Sequence, residues 1–263
     1  MEFYPGFDIE SREKDMEFVY GPDVFGPKPE KRTLEAIRSS LQDPSCTGPE
    51  ILYSIVMDVG RKQDHTAITE RNLLYGAVTY AKGTLGKEPV RSQGHIHAIS
   101  PSCQSSTCEV YEIWDGEAFI YMQEYGKDDA GNCYAVHAKA GEVVIVPPGW
   151  VHATINANVE KPLTFGAWCV RDFGFDYEEV RAHHGIAYFP VVEAGNITWE
   201  INPAYKNAKL HVIAAHDYPQ FDLEPGNPTV GKAFQILSAK TGMTGMIGGQ
   251  SVDVEYVDRP LSA

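Results

Sequence analysis

The sequence predicts an all-β fold, a barrel or sandwich of short antiparallel strands, and three observations point to it. Between about Glu50 and Val192 the chain breaks into short β-type runs (ILYSIVMDV, LLYGAVTYA, VYEIW, AFIYMQEY, YAVHA, EVVIVP, HATINA and LTFGAWCV) separated by Gly, Pro, Asn and Asp turns. Only DYEEVRAHHG interrupts that texture with a helical pattern. The composition, 43% hydrophobic and 22% charged over 263 residues, is that of a globular chain able to bury a core.

In chain order, residues 1–49 read as an N-terminal arm covering one face of the barrel. Its Pro- and Gly-rich loop YGPDVFGPKPEKR leads to Thr33, which is expected to cap a short helix with Leu34, Ile37 and Leu41 on one side. Residues 50–205 form the barrel, with the DYEEVRAHHG helix on its outside. Residues 206–263 are a C-terminal extension with weaker strands (KLHVIAA, KAFQILSA) and a Gly/Met-rich stretch, TGMTGMIGG, to which the sequence assigns no role. Bare sheet edges need covering, so dimerisation through the N-terminal strands is expected.

A net charge of −14 repels phosphate backbones and argues against generic nucleic-acid binding. No apolar run reaches the roughly 18 to 20 residues needed to cross a bilayer, and the start lacks the pattern of a signal peptide. A cytoplasmic protein is the expectation. Five cysteines, at 46, 103, 108, 133 and 169, show neither a CxxC pair nor a repeating spacing, which excludes a disulfide scaffold. Cys46, Cys133 and Cys169 read as buried small thiols.

Two segments carry candidate chemistry. In GHIHAISPSCQSSTCEVYEIWDGEAFIYMQ, His95 and His97 are two apart, so on a strand both imidazoles face one way and can share a metal. Glu109, Tyr111 and Ile113 then share a strand face, and WDGE is expected to turn the chain back as a hairpin. In GEVVIVPPGWVHATINA, the Pro147, Pro148, Gly149 turn delivers a strand on which His152, Thr154 and Asn156 share a face. Three imidazoles and one carboxylate suit Fe(II), Mn, Ni or Zn far better than Ca or Mg. Lys82, Lys87 and Arg91 form a basic cluster before the first motif, with Arg91 placed to touch a dianionic phosphate. His65, His137, His183, His184, His211 and His216 read as structural or surface residues.

These motifs, GHxH followed by ExY and then by PPxWxH, resemble the two motifs of the cupin (jelly-roll) β-barrels. RSQGHIH before EVY, and PPGWVHATIN after it, are similar to the cupin-type glucose-6-phosphate isomerases of archaea and some bacteria, over about Leu52 to Tyr205. The resemblance implies a metal-dependent isomerase that interconverts glucose 6-phosphate and fructose 6-phosphate, at a step shared by glycolysis and gluconeogenesis, and the sheet edges that need covering make it an expected homodimer. It implies one divalent transition metal per subunit, iron first and Mn, Ni or Zn as alternatives, held by His95, His97, Glu109 and His152. It also places the family's conserved tyrosine on Tyr111 and its phosphate-binding hydroxyl on Ser92, so that Ser92, Gly94 and Tyr111 are expected on the substrate. Glu109 is the only carboxylate in the motif that shares a strand face with Tyr111 and can reach both metal and substrate carbons, so Glu109 and Tyr111 are the expected catalytic pair.

The chain departs from that family in three places. Eleven residues separate His97 from Glu109, a longer loop than the family's, and it carries Cys103 and Cys108. A phosphate-pocket hydroxyl falls on Val78, with Thr79 facing away, and an active-site tyrosine and histidine fall on Cys169 and Phe175. Two other readings stay open. A non-haem dioxygenase can use the same ligand set and would consume oxygen, whereas a non-catalytic sugar or metabolite sensor would bind without turnover.

Overall fold

The computed structural model describes residues 1–102 and 104–218. Cys103 and the tail segments KAFQILSA and TGMTGMIGG lie outside the described residues. The β-type runs pair into two main sheets. The larger has the order Val143–Val146, Glu109–Asp115, Leu163–Val170, Leu73–Tyr80, Ile51–Met57, Glu30–Thr33, with every neighbouring pair antiparallel. In the smaller, Val151–Asn156, Glu117–Gln123 and Asp129–Lys139 are antiparallel, and Asn207–Ala214 adds in parallel. Both outermost additions, Glu30–Thr33 and Asn207–Ala214, come from outside the 50–205 span.

The sheets face one another across a core in which Ile113 and Val144 of one meet Ile120 and Val136 of the other, all fully buried. Each such side chain contributes about 1.5–3 kcal/mol by leaving water. The outer face of the larger sheet is covered by the N-terminal arm. There Phe7 sets its ring edge against Tyr75 and Trp114 at 6.0 Å each, and Ile9 and Phe18 join the same buried cluster.

Two local expectations are corrected. The WDGE turn does not close a hairpin, because Glu109–Asp115 and Glu117–Gln123 belong to different sheets and share no register. Gly116, at φ +75°, carries the chain from one sheet to the other, where an added Cβ would lie 2.4 Å from the Pro162 carbonyl oxygen. Glu117–Gln123 instead forms its hairpin with Asp129–Lys139. The helix after Thr33 exists as Leu34–Ile37, extended by a 3-10 turn at Arg38–Ser40, but the Thr33 side chain makes no capping bond. Burial of Leu34, Ile37 and Leu41 holds it instead. The DYEEVRAHHG helix forms over Glu178–Ala182, with Val180 buried against the barrel.

The segment running into the first motif is positioned by the second. Ser92 N–H donates to the Thr154 carbonyl (3.0 Å), and His95 and His152 exchange both backbone hydrogen bonds (3.0 and 2.9 Å). Residues 90–97 thus run antiparallel to Val151–Asn156, which brings His95 beside His152 and Ser92 beside Thr154. Gly94, at φ +94°, bends the chain just before His95, and a Cβ there would press on Ile186 Cγ2 at 2.8 Å. Among the described residues no helix is long and apolar enough to cross a membrane.

Candidate metal centre and pocket

One side chain in the larger sheet and three along the other wall converge at one end of the barrel. Glu109 opens the Glu109–Asp115 strand, His152 sits on Val151–Asn156, and His95 and His97 come from the segment paired with it. One ligand atom from each of His95, His97, Glu109 and His152 lies within 4.8 Å of the other three. The sequence-predicted quartet is therefore brought together, and none of the other histidines joins it.

The hydrogen bonds around the quartet indicate what it can hold. His97 Nδ1 donates to the Thr107 carbonyl and His152 Nδ1 to the Trp150 carbonyl, each at 3.1 Å. A carbonyl oxygen only accepts, so the proton of each neutral ring sits on Nδ1 and the Nε2 lone pair faces inward. Both Nε2 atoms meet the same oxygen, Glu109 Oε2, at 3.3 Å for His97 and 3.1 Å for His152. Acceptors converging on an acceptor require positive charge between them.

Protons on the imidazoles are a poor source of that charge. Burial, then repulsion from His152 and His97, pushes His95 well below the ordinary histidine value, and burial also lowers His97. For Glu109, burial works against ionisation, but its contacts with His152 and His97 prevail and hold the carboxyl well below the usual carboxylate range. The buried Nε2 atoms of His95 and His97 have no hydrogen-bond partner. A carboxylate facing the proton-poor rings of His95 and His97, whose Nε2 atoms lack a hydrogen bond, fits a divalent transition metal.

Tyr111 lies on the same strand face, and its hydroxyl donates to Glu109 Oε2 at 2.8 Å. Burial, followed by the Glu109 charge, raises that phenol well above its ordinary value, so it stays a donor. A cavity of about 680 Å³, counting its open mouth, extends from the cluster. Ser92 and Gly94 line it as expected, together with Thr154. Val78, Cys169 and Phe175 also line it, while Thr79 turns away to meet Thr164 at 3.0 Å.

Arg91 does not reach this cavity. Its guanidinium is fully buried against Glu88 (2.7 Å), with further bonds to the Ser40 and Ser92 carbonyls, so its donors are spent on tying the arm to the barrel. Lys82 lies outside and faces Glu13 at 3.7 Å. None of the basic cluster, Lys82, Lys87 and Arg91, lines this cavity. Sequence reasoning missed Arg32, Tyr53, Tyr80 and Tyr177, all of which line the cavity. The signal for two of them was the period of two: Tyr53, Ile55 and Met57 pair directly with Tyr80, Val78 and Gly76, and all six face inward.

The long loop after His97 is pinned at its base. Asp172 accepts from Ser100 Oγ (2.6 Å), Ser102 N (3.0 Å), Ser102 Oγ (2.9 Å) and Asn72 Nδ2 (2.8 Å). Ser106 Oγ donates to the His97 carbonyl and accepts from Gly149 N–H, which links the two motif segments. Cys108 is buried, and Cys46, Cys133 and Cys169 are buried free thiols.

The glucose-6-phosphate isomerase (GPI) family model matches residues 32–207, two thirds of the chain and the whole ligand quartet. The chain belongs to this cupin-type family. Curated relatives agree: glucose-6-phosphate isomerase of Pyrococcus horikoshii is 30% identical over 138 residues, covering 52% of this chain and 67% of that protein. The enzyme of the same name from Thermococcus onnurineus is 29% identical over 135 residues, covering 51% of this chain and 66% of that one. Among solved structures, an oxalate oxidase aligns at 17% identity and a TM-score of 0.31, over 40% of this chain and 45% of its own. Hazelnut vicilin aligns at 14% identity and a TM-score of 0.35, over 50% of this chain and 33% of its own.

Proposed function

We propose that this family member is a metal-dependent aldose–ketose isomerase that interconverts glucose 6-phosphate and fructose 6-phosphate. The observation that carries this reading is the inward-facing quartet of His95, His97, Glu109 and His152 at the end of a cavity lined by Ser92, Thr154 and Tyr111. One divalent transition metal per subunit, iron first and Mn, Ni or Zn as alternatives, would be held by those four residues. Bound there, it would supply Lewis-acid polarisation of adjacent substrate oxygens.

The chain's own groups do the rest. Glu109 is the general base: its carboxylate takes the proton from carbon two of the aldose and returns it to carbon one, while the hydroxyl proton on oxygen two passes to oxygen one. Tyr111, donating to Glu109 Oε2, orients that carboxylate. Ser92, Gly94 and Thr154 bind and orient the sugar along the wall nearest His95. The apolar wall of Val78, Phe165 and Phe175 keeps water from the reacting carbons.

Three buried free thiols, at Cys46, Cys133 and Cys169, suit a reducing cytoplasm, and the edge strand Glu30–Thr33 suits a second copy of the chain as partner in a homodimer. A coupled assay of the metal-loaded protein against a panel of hexose and pentose phosphates tests the reading. Turnover is expected with fructose 6-phosphate. Oxygen uptake without isomerisation would move the site to dioxygenase chemistry, and binding without turnover would make it a sensor.

A further inference from the structure

The cavity has a second polar feature that none of the motifs supplies. Among its described lining residues, Arg32 is the one permanent cation. It stands on the edge strand Glu30–Thr33, four strands from Glu109–Asp115 in the order of the larger sheet. Arg32 pairs with Tyr53, and Tyr53 with Tyr80, so the guanidinium shares the inward face with two tyrosines whose rings stack at 4.7 Å.

Burial raises the Tyr53 hydroxyl well above its ordinary value, and the Arg32 charge and hydrogen bond act against that rise. Burial likewise raises Tyr177, with Arg32 again opposing. The cation is therefore felt by two hydroxyls lining the same cavity. Its side chain is 36% exposed and its ion pair is with Glu30 at 3.1 Å, itself 69% exposed. A pair so open to water holds weakly and leaves donors of the guanidinium fork unused.

Elsewhere the described lining offers an anion hydroxyls, as at Ser92 and Thr154, but no second permanent cation. Val78 and Phe175 line the cavity at positions where the family resemblance implies a hydroxyl and an imidazole, and Arg91 is consumed elsewhere. A phosphate dianion entering this cavity needs a compensating charge, and a chain of net charge −14 supplies none at long range.

We propose that Arg32 is the specificity-determining residue for an anionic sugar: its guanidinium takes the substrate's phosphate at the cavity mouth, exchanging Glu30 for that phosphate, while the sugar's first two carbons lie at the ligand quartet. This rests on the isomerase reading of the same site. It places recognition of the charged end on a residue of the N-terminal arm, outside both motifs.

The test compares wild type, Arg32→Ala and Arg32→Lys as metal-loaded full-length proteins. Calorimetry with glucitol 6-phosphate, which binds but cannot isomerise, gives the affinity, with unphosphorylated glucitol as the control. Kinetics with fructose 6-phosphate give kcat and KM. Loss of a charge-assisted hydrogen-bonded pair weakens binding by about ten- to a hundredfold, so Arg32→Ala is expected to lose that factor toward glucitol 6-phosphate and in KM. Its kcat is expected to stay within about threefold, because the phosphate is gripped equally in ground and transition states. Arg32→Lys is expected to recover part of the loss. Unchanged affinity for glucitol 6-phosphate in Arg32→Ala overturns the inference even if the wild type isomerises. A selective loss of phosphate affinity in a wild type that does not isomerise sustains the inference and overturns the isomerase reading alone. Failure of wild type to prefer glucitol 6-phosphate over glucitol overturns the inference outright.

Discussion

The two ends of the cavity are built in opposite ways. At the inner end, four ligands arise from three short segments that pair with each other or face each other, and backbone carbonyls of Thr107 and Trp150 fix two of the imidazoles. At the mouth, the partly exposed Arg32 and its partner Tyr53 come from two strands, one in the arm and one in the barrel. The inner end is preorganised by local contacts, as bond-making chemistry requires. The mouth is assembled by topology and stays partly open, which suits a group that must only be held.

That contrast ranks the expected effects. The largest belongs to the ligands. His97→Ala removes one of four donors, so the variant should hold no stoichiometric metal by elemental analysis and lose isomerisation by a factor of about 10³ or more, the equivalent of several kcal/mol. Full occupancy in that variant would show that the ligands lie elsewhere.

Next comes Glu109→Gln, whose amide oxygen can still ligate weakly while the base is gone. Turnover should fall by about 10², the usual scale of general-base loss, with some metal retained. In D₂O the wild type should place deuterium at carbon two of the aldose. Complete absence of label at full turnover would favour a hydride shift between the carbons and remove Glu109 as the proton carrier.

The inner end was legible because its information is contiguous. HIH, EVY and PPGWVH each lie within one turn or strand, and the period of two correctly placed Glu109 with Tyr111 and His152 with Thr154. The mouth was not legible because a strand's register with its neighbours is absent from its own letters. Nothing in EKRT says that Arg32 lies opposite Tyr53. Arg91 misled for a related reason: proximity to the motif in sequence suggested the cavity, whereas Glu88 and Ser40 draw the guanidinium into the barrel wall. WDGE looked like a hairpin turn because turn chemistry alone does not tell a return within a sheet from a crossing between sheets.

A smaller effect is expected between the two ends. Ser92 Oγ accepts from Thr154 N–H at 3.1 Å and lines the cavity, so Ser92→Ala should raise KM for fructose 6-phosphate about three- to tenfold with little change in kcat. An effect confined to kcat would place Ser92 in the chemistry rather than in binding.

The smallest effect concerns stability at acid pH. Burial opposes ionisation of Asp172, but hydrogen bonds from Ser100, Ser102 and Asn72 lower its carboxyl from 3.8 to about 2. A depressed folded-state value means that its contribution is complete above pH 3.8 and is lost as pH falls toward 2. Asp172→Asn should therefore flatten the dependence of denaturation midpoint on pH in that window, and leave its slope unchanged near neutrality. An unaltered acid slope in the variant would mean that the loop is pinned by other groups.

The most direct measurement of the central claim is a metal titration of chelator-stripped protein, reading bound metal and fructose 6-phosphate isomerisation on the same samples. The quartet predicts that both rise together and level at one equivalent of Fe(II) or Mn(II) per chain, and that His97→Ala does neither. Full isomerisation by protein that carries no metal, or metal uptake at one equivalent that His97→Ala leaves intact, would contradict it.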